Sequence, residues 1–441
     1  MVFFQESKVE WLGKIPKHWS ITKLKNQCQI IPSNVDKKSH EDETEVKLCN
    51  YVDVYYNELI DDSIEYMVAT ANEHELKKFQ LLEGDVLITK DSEDPHDIAV
   101  PALVVKTQPK LLCGYHLSII RSDNRNFNGS YLFWVLKDAS IASQLHREAT
   151  GITRWAIANR HVKNSIIPLP SETEQKAIAS YLDKTCAAID KAIEAKQKQL
   201  EILDALRKSI IHKAVTRGLD DSVELKDSGV EWLGKIPRHW RIEKLKRLLS
   251  QPLMYGTNEA AELDDPEYPR YIRITDFGDN GTLKPESFKS LPPDKAEGYY
   301  LEEGDLLFAR SGATVGKSFL FSNYKGLACF AGYLIRARTN KIKLFPKYLY
   351  YFTKSPAYFT WKNVIFTQAT IQNISATKYA YLPVSVPSVD EQRLIIQYLD
   401  LKMKSLDDMQ SNLSDQISIL EQYRKSLIHE CVTGKRKVQA N

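Results

Sequence analysis

The sequence lacks the features that mark secreted, membrane-spanning and metal-binding proteins. No run approaches the roughly 18 apolar residues that a membrane span needs, and the first residues include acidic side chains where a signal peptide would be apolar. The six scattered cysteines form no Cys-x-x-Cys pair, which is typical of free thiols in a reducing compartment. The ten histidines show no metal-ligand spacing. We therefore expect a cytoplasmic chain that binds no membrane and no metal.

An excess of charge of either sign is also missing. The 60 basic and 57 acidic side chains leave a net charge of +3, so any surface that binds nucleic acid must be a local patch. The 441 residues exceed one ordinary hydrophobic core, and the hydrophobic content of 43% is that of a globular protein. These totals predict several globular domains.

Catalytic motifs are incomplete in this sequence. Residues 311–318, SGATVGKS, come close to a phosphate-binding loop, but Ser311 stands where that motif requires glycine. The residues after Lys317 have the pattern of a strand, whereas a phosphate-binding loop must open a helix. Acidic pairs such as Asp61-Asp62 are explained by solvation in turns. The sequence therefore predicts no catalytic residues and no cofactor.

Two long stretches contain neither glycine nor proline between their ends, and they repeat one another. They run from Ser171 to Gly218 and from Ser388 to Gly434. Each opens with Ser-x-x-Glu, a capping box, and closes on a glycine that can adopt the left-handed conformation after a helix. Each therefore predicts a helix of roughly 60–70 Å, at about 1.5 Å per residue.

Apolar residues recur along both helices at a 3-4 spacing and form a narrow seam. The middle of this seam includes Leu203, Leu206, Met409 and Leu413. We expect the two seams to face each other in an antiparallel intramolecular coiled coil. The alternative is two separate helices, each docked on another protein. Three apolar residues outside the seam are predicted to be exposed and to bind a partner protein: Tyr181, Ile202 and Ile211.

The duplication extends beyond the helices. Residues 9–25, VEWLGKIPKHWSITKLK, recur 221 positions later at 230–246, and the Glu-Gly-Asp at 83–85 recurs 220 positions later at 303–305. A period this long indicates tandem domains. We expect globular regions at 1–170 and 219–387, long helices at 171–218 and 388–434, and a tail at 435–441.

Each globular region has the pattern of an α+β fold, with short apolar runs bounded by turn residues. Strands are predicted at 47–54, 85–89, 102–105, 117–121, 271–276, 305–309, 318–322 and 333–338. Helices are predicted at 131–136, 139–147, 348–352 and 357–361. The connecting loops differ between the two copies, which predicts two similar binding domains that recognise different targets.

Arginine, lysine, asparagine and glutamine are the side chains that read base edges, while backbone contacts set the register. In the first region the predicted DNA-binding residues are Lys90, Thr153, Arg154, Trp155, Asn159 and Arg160. In the second region they are Tyr255, Thr257, Arg273, Arg310, Ser311, Thr314, Lys317, Thr370 and Gln372. Lys90 and Arg310 are predicted to occupy equivalent strand ends. For any single residue, a solvated surface side chain is the alternative interpretation.

The chain resembles the DNA-specificity subunit of type I restriction-modification systems over nearly its full length. Three motifs that carry the resemblance occur twice: Trp-Leu-Gly-x-Ile-Pro-x-His-Trp, Glu-Gly-Asp before a strand, and Glu-Gln opening a long helix that ends in Lys-Ser-Ile/Leu-Ile-His. The resemblance implies two target recognition domains, each reading one half of a bipartite, asymmetric double-stranded DNA site. It also implies a coiled coil that spaces these domains.

The resemblance further implies partners and a division of labour. Methyltransferase (modification) subunits would dock on the coiled coil, and restriction/translocase subunits would join them. The chain itself would be non-catalytic, while the complex would act as a DNA adenine methyltransferase and ATP-dependent endonuclease. Two other readings are a self-contained DNA-modifying enzyme and a coiled-coil adaptor without a DNA role. Missing donor and metal motifs count against the enzyme, and two unlike globular domains count against the adaptor.

Overall fold

The computed structural model of the chain describes residues 3–122, 127–278, 281–312, 314–367 and 373–439. The chain forms two compact units. Unit 1 comprises Met1–Gln197 and Asp415–Asn441, and unit 2 comprises Lys198–Ser414. Each unit therefore contains one globular region and a part of both long helices. No helix in the described part of the chain is long and apolar enough to span a membrane.

The globular region of unit 1 is built on a five-stranded sheet. Its strands, in spatial order, are Cys28–Pro32, Leu117–Ser122, Val86–Thr89, Pro101–Val104 and Leu59–Ile60. Only the last pair is parallel. Two smaller sheets have three strands each: Leu111–Cys113, Thr44–Cys49 and Met67–Ala71 form one, and Thr150–Gly151, Trp155–Ala156 and Asp91–Ser92 form the other. Two strand pairs complete the region: Ile166–Leu169 with Ser20–Lys23, and Phe4–Glu6 with Lys14–Pro16. The short helices are Tyr51–Tyr56, Glu73–Phe79, Gly129–Lys137, Ala139–His146 and Asn159–Asn164.

Unit 2 repeats this plan with a four-stranded antiparallel sheet. Its strands, in spatial order, are Met254–Tyr255, Leu334–Ala337, Leu306–Ala309 and Ser318–Leu320. Strand pairs are Arg270–Ile272 with Ala328–Phe330, Arg241–Lys244 with Pro383–Val386, and Leu225–Asp227 with Lys235–Pro237. The short helices are Pro293–Ala296, Pro346–Phe352, Pro356–Thr367 and Ala376–Ala380. The α+β prediction is confirmed.

Two predicted strands are shorter than expected because the chain turns into a helix. The strand Thr44–Cys49 ends before Asn50, which forms a capping box with Asp53 and starts the helix Tyr51–Tyr56. In unit 2, Arg270–Ile272 is followed by a 3-10 turn at Ile274–Asp276. In the helix Tyr51–Tyr56, the capping box thus overrides the β-propensity of the tyrosines and valines.

Both Glu-Gly-Asp sequences form the predicted tight turn, with Gly84 at φ +88° and Gly304 at φ +95°. The aspartate of each turn is buried against an arginine of the neighbouring strand. Asp85 accepts two hydrogen bonds from Arg121, at 2.8 Å from Nε and 2.6 Å from Nη2. The same arrangement recurs around Asp305 in unit 2. The motif therefore fastens the start of one central strand to the end of its neighbour.

The start of each long helix is fastened to its globular region by one glutamate. Glu174 Oε2 accepts a hydrogen bond from the Ser171 N–H, while its Oε1 accepts one from Trp19 Nε1 at 3.1 Å and contacts His18 Nε2 at 2.8 Å. Burial alone would raise the pKa of Glu174, but the bonds from His18, Ser171 and Trp19 lower that pKa to about 2. The second copy repeats this geometry at Glu391. The predicted caps are confirmed.

The long helices extend over Glu172–Arg217 and Val389–Val432. In unit 1 the beginning of the first helix packs against the end of the second. Arg424 Nε lies 2.9 Å from an oxygen of Asp190, and further along the pair Lys196 donates to Gln416. Residue numbers rise along one helix as they fall along the other, so this pair is antiparallel.

The portion of the helix pair in unit 2 is also antiparallel. Arg207 Nη2 donates to Asp407 at 2.5 Å, and its Nη1 contacts the Met403 sulfur. Ile211 shares the unit 2 core with Ile395. The prediction of an antiparallel intramolecular coiled coil is confirmed.

The seam is less buried in its middle than the sequence pattern predicts. Leu206 and Met409 are exposed, and Leu203 and Leu413 are only half-buried. Two paired helices bury only the strip along which they touch, so apolar side chains at its margin stay in contact with water. Together with Ile202, which is 59% exposed, three of these residues line an apolar groove of about 600 Å³: Leu203, Met409 and Leu413.

The expected exposure of the partner-binding residues holds for one of the three. Ile202 is exposed, as predicted. Ile211 is only 4% exposed and belongs to the unit 2 core, so the prediction of an exposed Ile211 is wrong. That residue lies in the last turns of its helix, where the helix packs on the globular region. Tyr181 is half-buried, and its hydroxyl accepts a hydrogen bond from Arg436 Nη1 at 3.2 Å.

Candidate nucleic-acid interface

Lys90 and Arg310 occupy equivalent positions in their units. The Lys90 N–H donates to the His116 carbonyl at 3.0 Å, and the Arg310 N–H donates to the Tyr333 carbonyl at the same distance. Each residue follows a central strand and begins the segment that carries the unlike loops. Sequence reasoning identified the strand-end pair and missed His116 and Tyr333. The signal was available, because Tyr333 follows His116 by the same 217 positions that relate Glu391 to Glu174.

In unit 1 three charged or titratable side chains meet beside this strand end. Arg154 Nη2 lies 2.6 Å from Asp91 Oδ1, and His116 Nδ1 lies 2.5 Å from the same oxygen. Burial lowers the pKa of His116, while Asp91 opposes that change. Asp91 therefore orients Arg154, whose half-exposed guanidinium keeps donors free for a base edge or a phosphate.

A short hairpin carries Arg154 to the surface. Its strands are Thr150–Gly151 and Trp155–Ala156, and Trp155 packs against the unit 1 core. Ile152, at the tip, is 97% exposed, and Thr153 beside it is exposed as well. An apolar side chain held in water next to an arginine is suited to contact a thymine methyl group or the face of a base.

The remaining predicted residues of unit 1 are less available. The Lys90 amine donates to the Ser33 carbonyl at 2.8 Å, and burial lowers its pKa. Asn159 is half-buried, and its Oδ1 has no hydrogen-bond partner among the described residues. Arg160 is exposed, with Nε donating to His161 Nε2 at 2.9 Å. Of these three, Arg160 is best placed to reach a phosphate.

In unit 2 an aromatic ring holds the arginine, whereas in unit 1 a carboxylate holds it. The Arg310 guanidinium lies over the Tyr255 ring, 4.8 Å from its centroid, and the Tyr255 hydroxyl accepts a hydrogen bond from the Ala376 N–H at 2.9 Å. Arg310 Nε is buried and unpaired within the described ranges. Tyr333 is largely exposed beside it. This site therefore offers a stacked arginine and an exposed tyrosine, where unit 1 offers a charged triad.

The glycine-containing loop of unit 2 continues this surface. Gly312 at φ +78° turns the chain after the half-buried Ser311, and the Thr314 carbonyl accepts the Lys317 N–H at 2.9 Å. Lys317 is exposed. The loop leads into the strand Ser318–Leu320, so it does not open a helix as a phosphate-binding loop must.

Two further predicted contacts of unit 2 make hydrogen bonds within the fold. Thr257 is 7% exposed, and its carbonyl accepts hydrogen bonds from the Gly332 N–H and the Tyr271 hydroxyl. Arg273 donates to Asp276 at 2.7 Å and to the Ser287 carbonyl at 2.9 Å, which uses its guanidinium within the fold. Two further predicted residues lie outside the described residues: Thr370 and Gln372.

No metal-binding arrangement accompanies these residues in the described ranges. Groups of three or more histidine, cysteine, aspartate or glutamate side chains that could hold a metal ion are not found there. Each site presents an arginine, held by a carboxylate in unit 1 and by an aromatic ring in unit 2, and arginine is a side chain that contacts phosphates and base edges.

The sequence matches one family over most of its length. Residues 16–206 and 253–418 match the family model for the type I restriction modification DNA specificity domain. The chain belongs to this family. Both long helices and both globular regions contribute to the matched segments of this type I specificity chain, which agrees with the resemblance noted from its repeated motifs.

Curated relatives agree with this assignment. A putative type I restriction enzyme MjaX specificity subunit of Methanocaldococcus jannaschii is 22% identical over 445 residues, covering 99% of this chain and 98% of the relative. The EcoBI specificity subunit of Escherichia coli is 22% identical over 375 residues, covering 82% and 76%.

Two solved structures share the fold. One comes from a study of complex assembly and conformational transition of the type I R-M system, with a TM-score of 0.72 and 15% identity over 96% of this chain and 99% of that chain. The HsdS subunit of Thermoanaerobacter tengcongensis gives a TM-score of 0.54 and 17% identity, covering 96% and 98%.

Proposed function

We propose that this specificity chain reads a bipartite, asymmetric DNA sequence, one half with each globular region. Residues 1–170 would read the first half-site and residues 219–387 the second. The paired helices at 171–218 and 388–434 would keep the half-sites a fixed number of base pairs apart, at about one helical turn or roughly 34 Å between centres. The tail at 435–441 has no assigned role.

The observation that carries this proposal is the pair of equivalent strand ends with unlike side chains. The same backbone position presents Lys90 near an Asp91–Arg154 pair in one unit and Arg310 over Tyr255 in the other. A common frame fixes where the donors lie, while the different donors select different bases. A symmetric site would instead call for two like surfaces.

We further propose that the chain is non-catalytic and acts through partner subunits. Methyltransferase subunits would dock on the paired helices and supply the methyl transfer, and restriction/translocase subunits would join that core. The apolar groove at Ile202 supports docking, because contiguous apolar surface on a helix pair is typical of a protein interface. The chain would work in the cytoplasm, where the DNA and these subunits are found.

Substituting one arginine in each unit tests the half-site assignment. Arg154→Ala should relax one position in the first half-site, and Arg310→Ala should relax one position in the second, each at a cost of about 1–3 kcal/mol. The measurement is binding of the assembled methyltransferase complex to a set of duplexes with single base changes. Arg238→Ala, at an exposed site outside both clusters, is the matched control.

The outcome separates base reading from backbone contact. If Arg154→Ala weakens binding to all duplexes equally and flattens the salt dependence, Arg154 contacts a phosphate. If either substitution relaxes positions in both half-sites, the assignment of one region to one half-site is wrong.

A charge placed in the apolar groove tests the docking surface. Ile202→Lys should weaken co-purification with the methyltransferase subunit, because a desolvated ammonium would face apolar side chains. The chain should keep its thermal stability, since Ile202 is exposed in the free protein. Ile342→Lys, at an exposed loop position away from the helices, is the control. Equal recovery of the partner with both variants would contradict docking at the groove.

A further inference from the structure

A cleft of about 580 Å³ lies in unit 1 between the first long helix and the globular region. Asp183 and Asp190 line it from the helix, and Glu58, Asp61 and Trp134 line it from the globular region. We call it the Asp183 cleft. Nothing in the DNA-reading surfaces described above uses these residues.

The aspartate of unit 2 that is equivalent to Asp183 binds a cation from its own unit. Trp134 Nε1 donates to Asp183 Oδ1 at 2.7 Å, and 217 positions later the Tyr351 hydroxyl donates to Asp400 Oδ1 at 2.5 Å. The two aspartates therefore occupy the same place in the duplicated frame. In unit 2 the Lys347 ammonium lies 2.7 Å from the other oxygen of Asp400 and neutralises it.

Unit 1 lacks this lysine. The residue 217 positions before Lys347 is Ser130, which lines the cleft but is too short and uncharged to replace an ammonium group. Within the described part of the chain no lysine or arginine pairs with Asp183, and partial burial raises the pKa of its carboxyl group. The repeat thus keeps the carboxylate and omits its cation.

The other cations near the cleft are already engaged. Arg424 lies 2.8 Å from Glu58 and 2.9 Å from Asp190, and Lys137 lies 2.7 Å from Glu58. Among the described residues, four carboxylates of the cleft therefore share these two cations. The Asp61 carboxylate accepts hydrogen bonds from the N–H and hydroxyl of Ser63, and Lys106, which interacts with Asp61, is paired with Asp62. The cleft carries an uncompensated negative charge that favours a cationic occupant.

The rim of the cleft is apolar and exposed. Tyr56, Leu59 and Val105 line it and remain largely in water. A lysine or arginine stem packs well on such side chains while its charged end reaches a carboxylate. A small inorganic cation would gain nothing from that apolar rim, so the combination fits a side chain of a protein.

We propose that the Asp183 cleft receives a lysine or arginine side chain of the methyltransferase subunit, in the position that Lys347 fills within unit 2. This inference rests on the proposed docking of that subunit on the paired helices. It makes the two docking surfaces of the chain unequal: unit 1 takes a cation from its partner, and unit 2 supplies its own.

Two substitutions at the cleft test the proposal. Asp183→Asn removes the charge and should weaken the Kd for the purified methyltransferase subunit about tenfold, the size of one charge-assisted hydrogen bond. Ser130→Lys supplies the missing cation from within the chain and should weaken the same Kd by filling the cleft. Glu194→Gln, which removes a charge from an exposed position of the same helix outside the cleft, should change nothing.

The control at the groove keeps the outcomes separate. If Ile202→Lys weakens binding but Asp183→Asn and Ser130→Lys leave the Kd unchanged, the cleft proposal is overturned and the docking proposal stands. If none of the three weakens binding, both are overturned. If the chain alone self-associates and Asp183→Asn abolishes this in sedimentation, the occupant is a second copy and the cleft proposal is again wrong.

Discussion

Replacing residues 25–168 with the corresponding region of another type I specificity subunit is expected to change one half of the methylated DNA sequence and leave the other half unchanged. The exchanged segment contains Lys90, His116 and Arg154, while Arg310 and Tyr255 stay in place. Its ends fall near the paired strands Ser20–Lys23 and Ile166–Leu169, so the glutamate contacts that fasten the long helix are retained. The measurement is single-molecule sequencing of DNA methylated in cells.

The reciprocal exchange provides the matched control. Replacing residues 246–385, the equivalent segment of unit 2, should change the other half of the target. The number of unread base pairs between the halves should stay constant in both chimaeras, because neither exchange alters the long helices. A chimaera that changes both halves, or neither, would rule out one region reading one half-site.

The repeated frame could be predicted from the sequence because its signals are local. Caps at Ser171 and Ser388, closing glycines and uninterrupted seams fix the bounds of the long helices to within two residues. Glu-Gly-Asp marks the start of a central strand in both units. These features depend on neighbouring residues alone, so no tertiary information is needed to read them.

The exposure of individual side chains could not be predicted in the same way. Ile202 and Ile211 lie on one helix with similar sequence surroundings, yet one is exposed and the other buried. The difference arises from where the globular region packs, which helical spacing does not encode. Leu206 and Met409 were predicted to be buried because their spacing places them in the seam, but no side chain covers them fully and both are exposed.

The residues of the candidate site were likewise only partly predictable from the sequence. Arg154 was predicted as a contact from its place in a basic and aromatic cluster, and Arg310 from its place at a strand end, and both are local patterns. Asp91 and His116, which orient Arg154, are separated from it by 63 and 38 positions and meet it only in the folded chain. The internal hydrogen bonds of Thr257 and Arg273 likewise could not be predicted from the sequence, because their partners meet them only in the folded chain.

Removing the carboxylate of Asp305 is expected to destabilise unit 2 by about 3–5 kcal/mol, because it leaves a partly buried guanidinium without its buried counter-charge and with only an exposed carboxylate beside it. Asp305 is 1% exposed and accepts from Arg338 Nε at 2.8 Å and Nη2 at 2.7 Å, and also from the Glu302 N–H at 2.8 Å. The measurement is the free energy of unfolding of Asp305→Ala by urea titration.

Glu302 gives a matched control on the same arginine. Its side chain also pairs with Arg338, at 2.5 Å, but it is 69% exposed, so Glu302→Ala should cost less than about 1 kcal/mol. Adding Arg338→Met to Asp305→Ala should recover part of the lost stability, since the guanidinium that lost its buried partner is then removed as well. Equal losses for Asp305→Ala and Glu302→Ala would show that burial does not decide the strength of this pair. The repeated geometry of Asp85 with Arg121 would then be a matter of strand register alone.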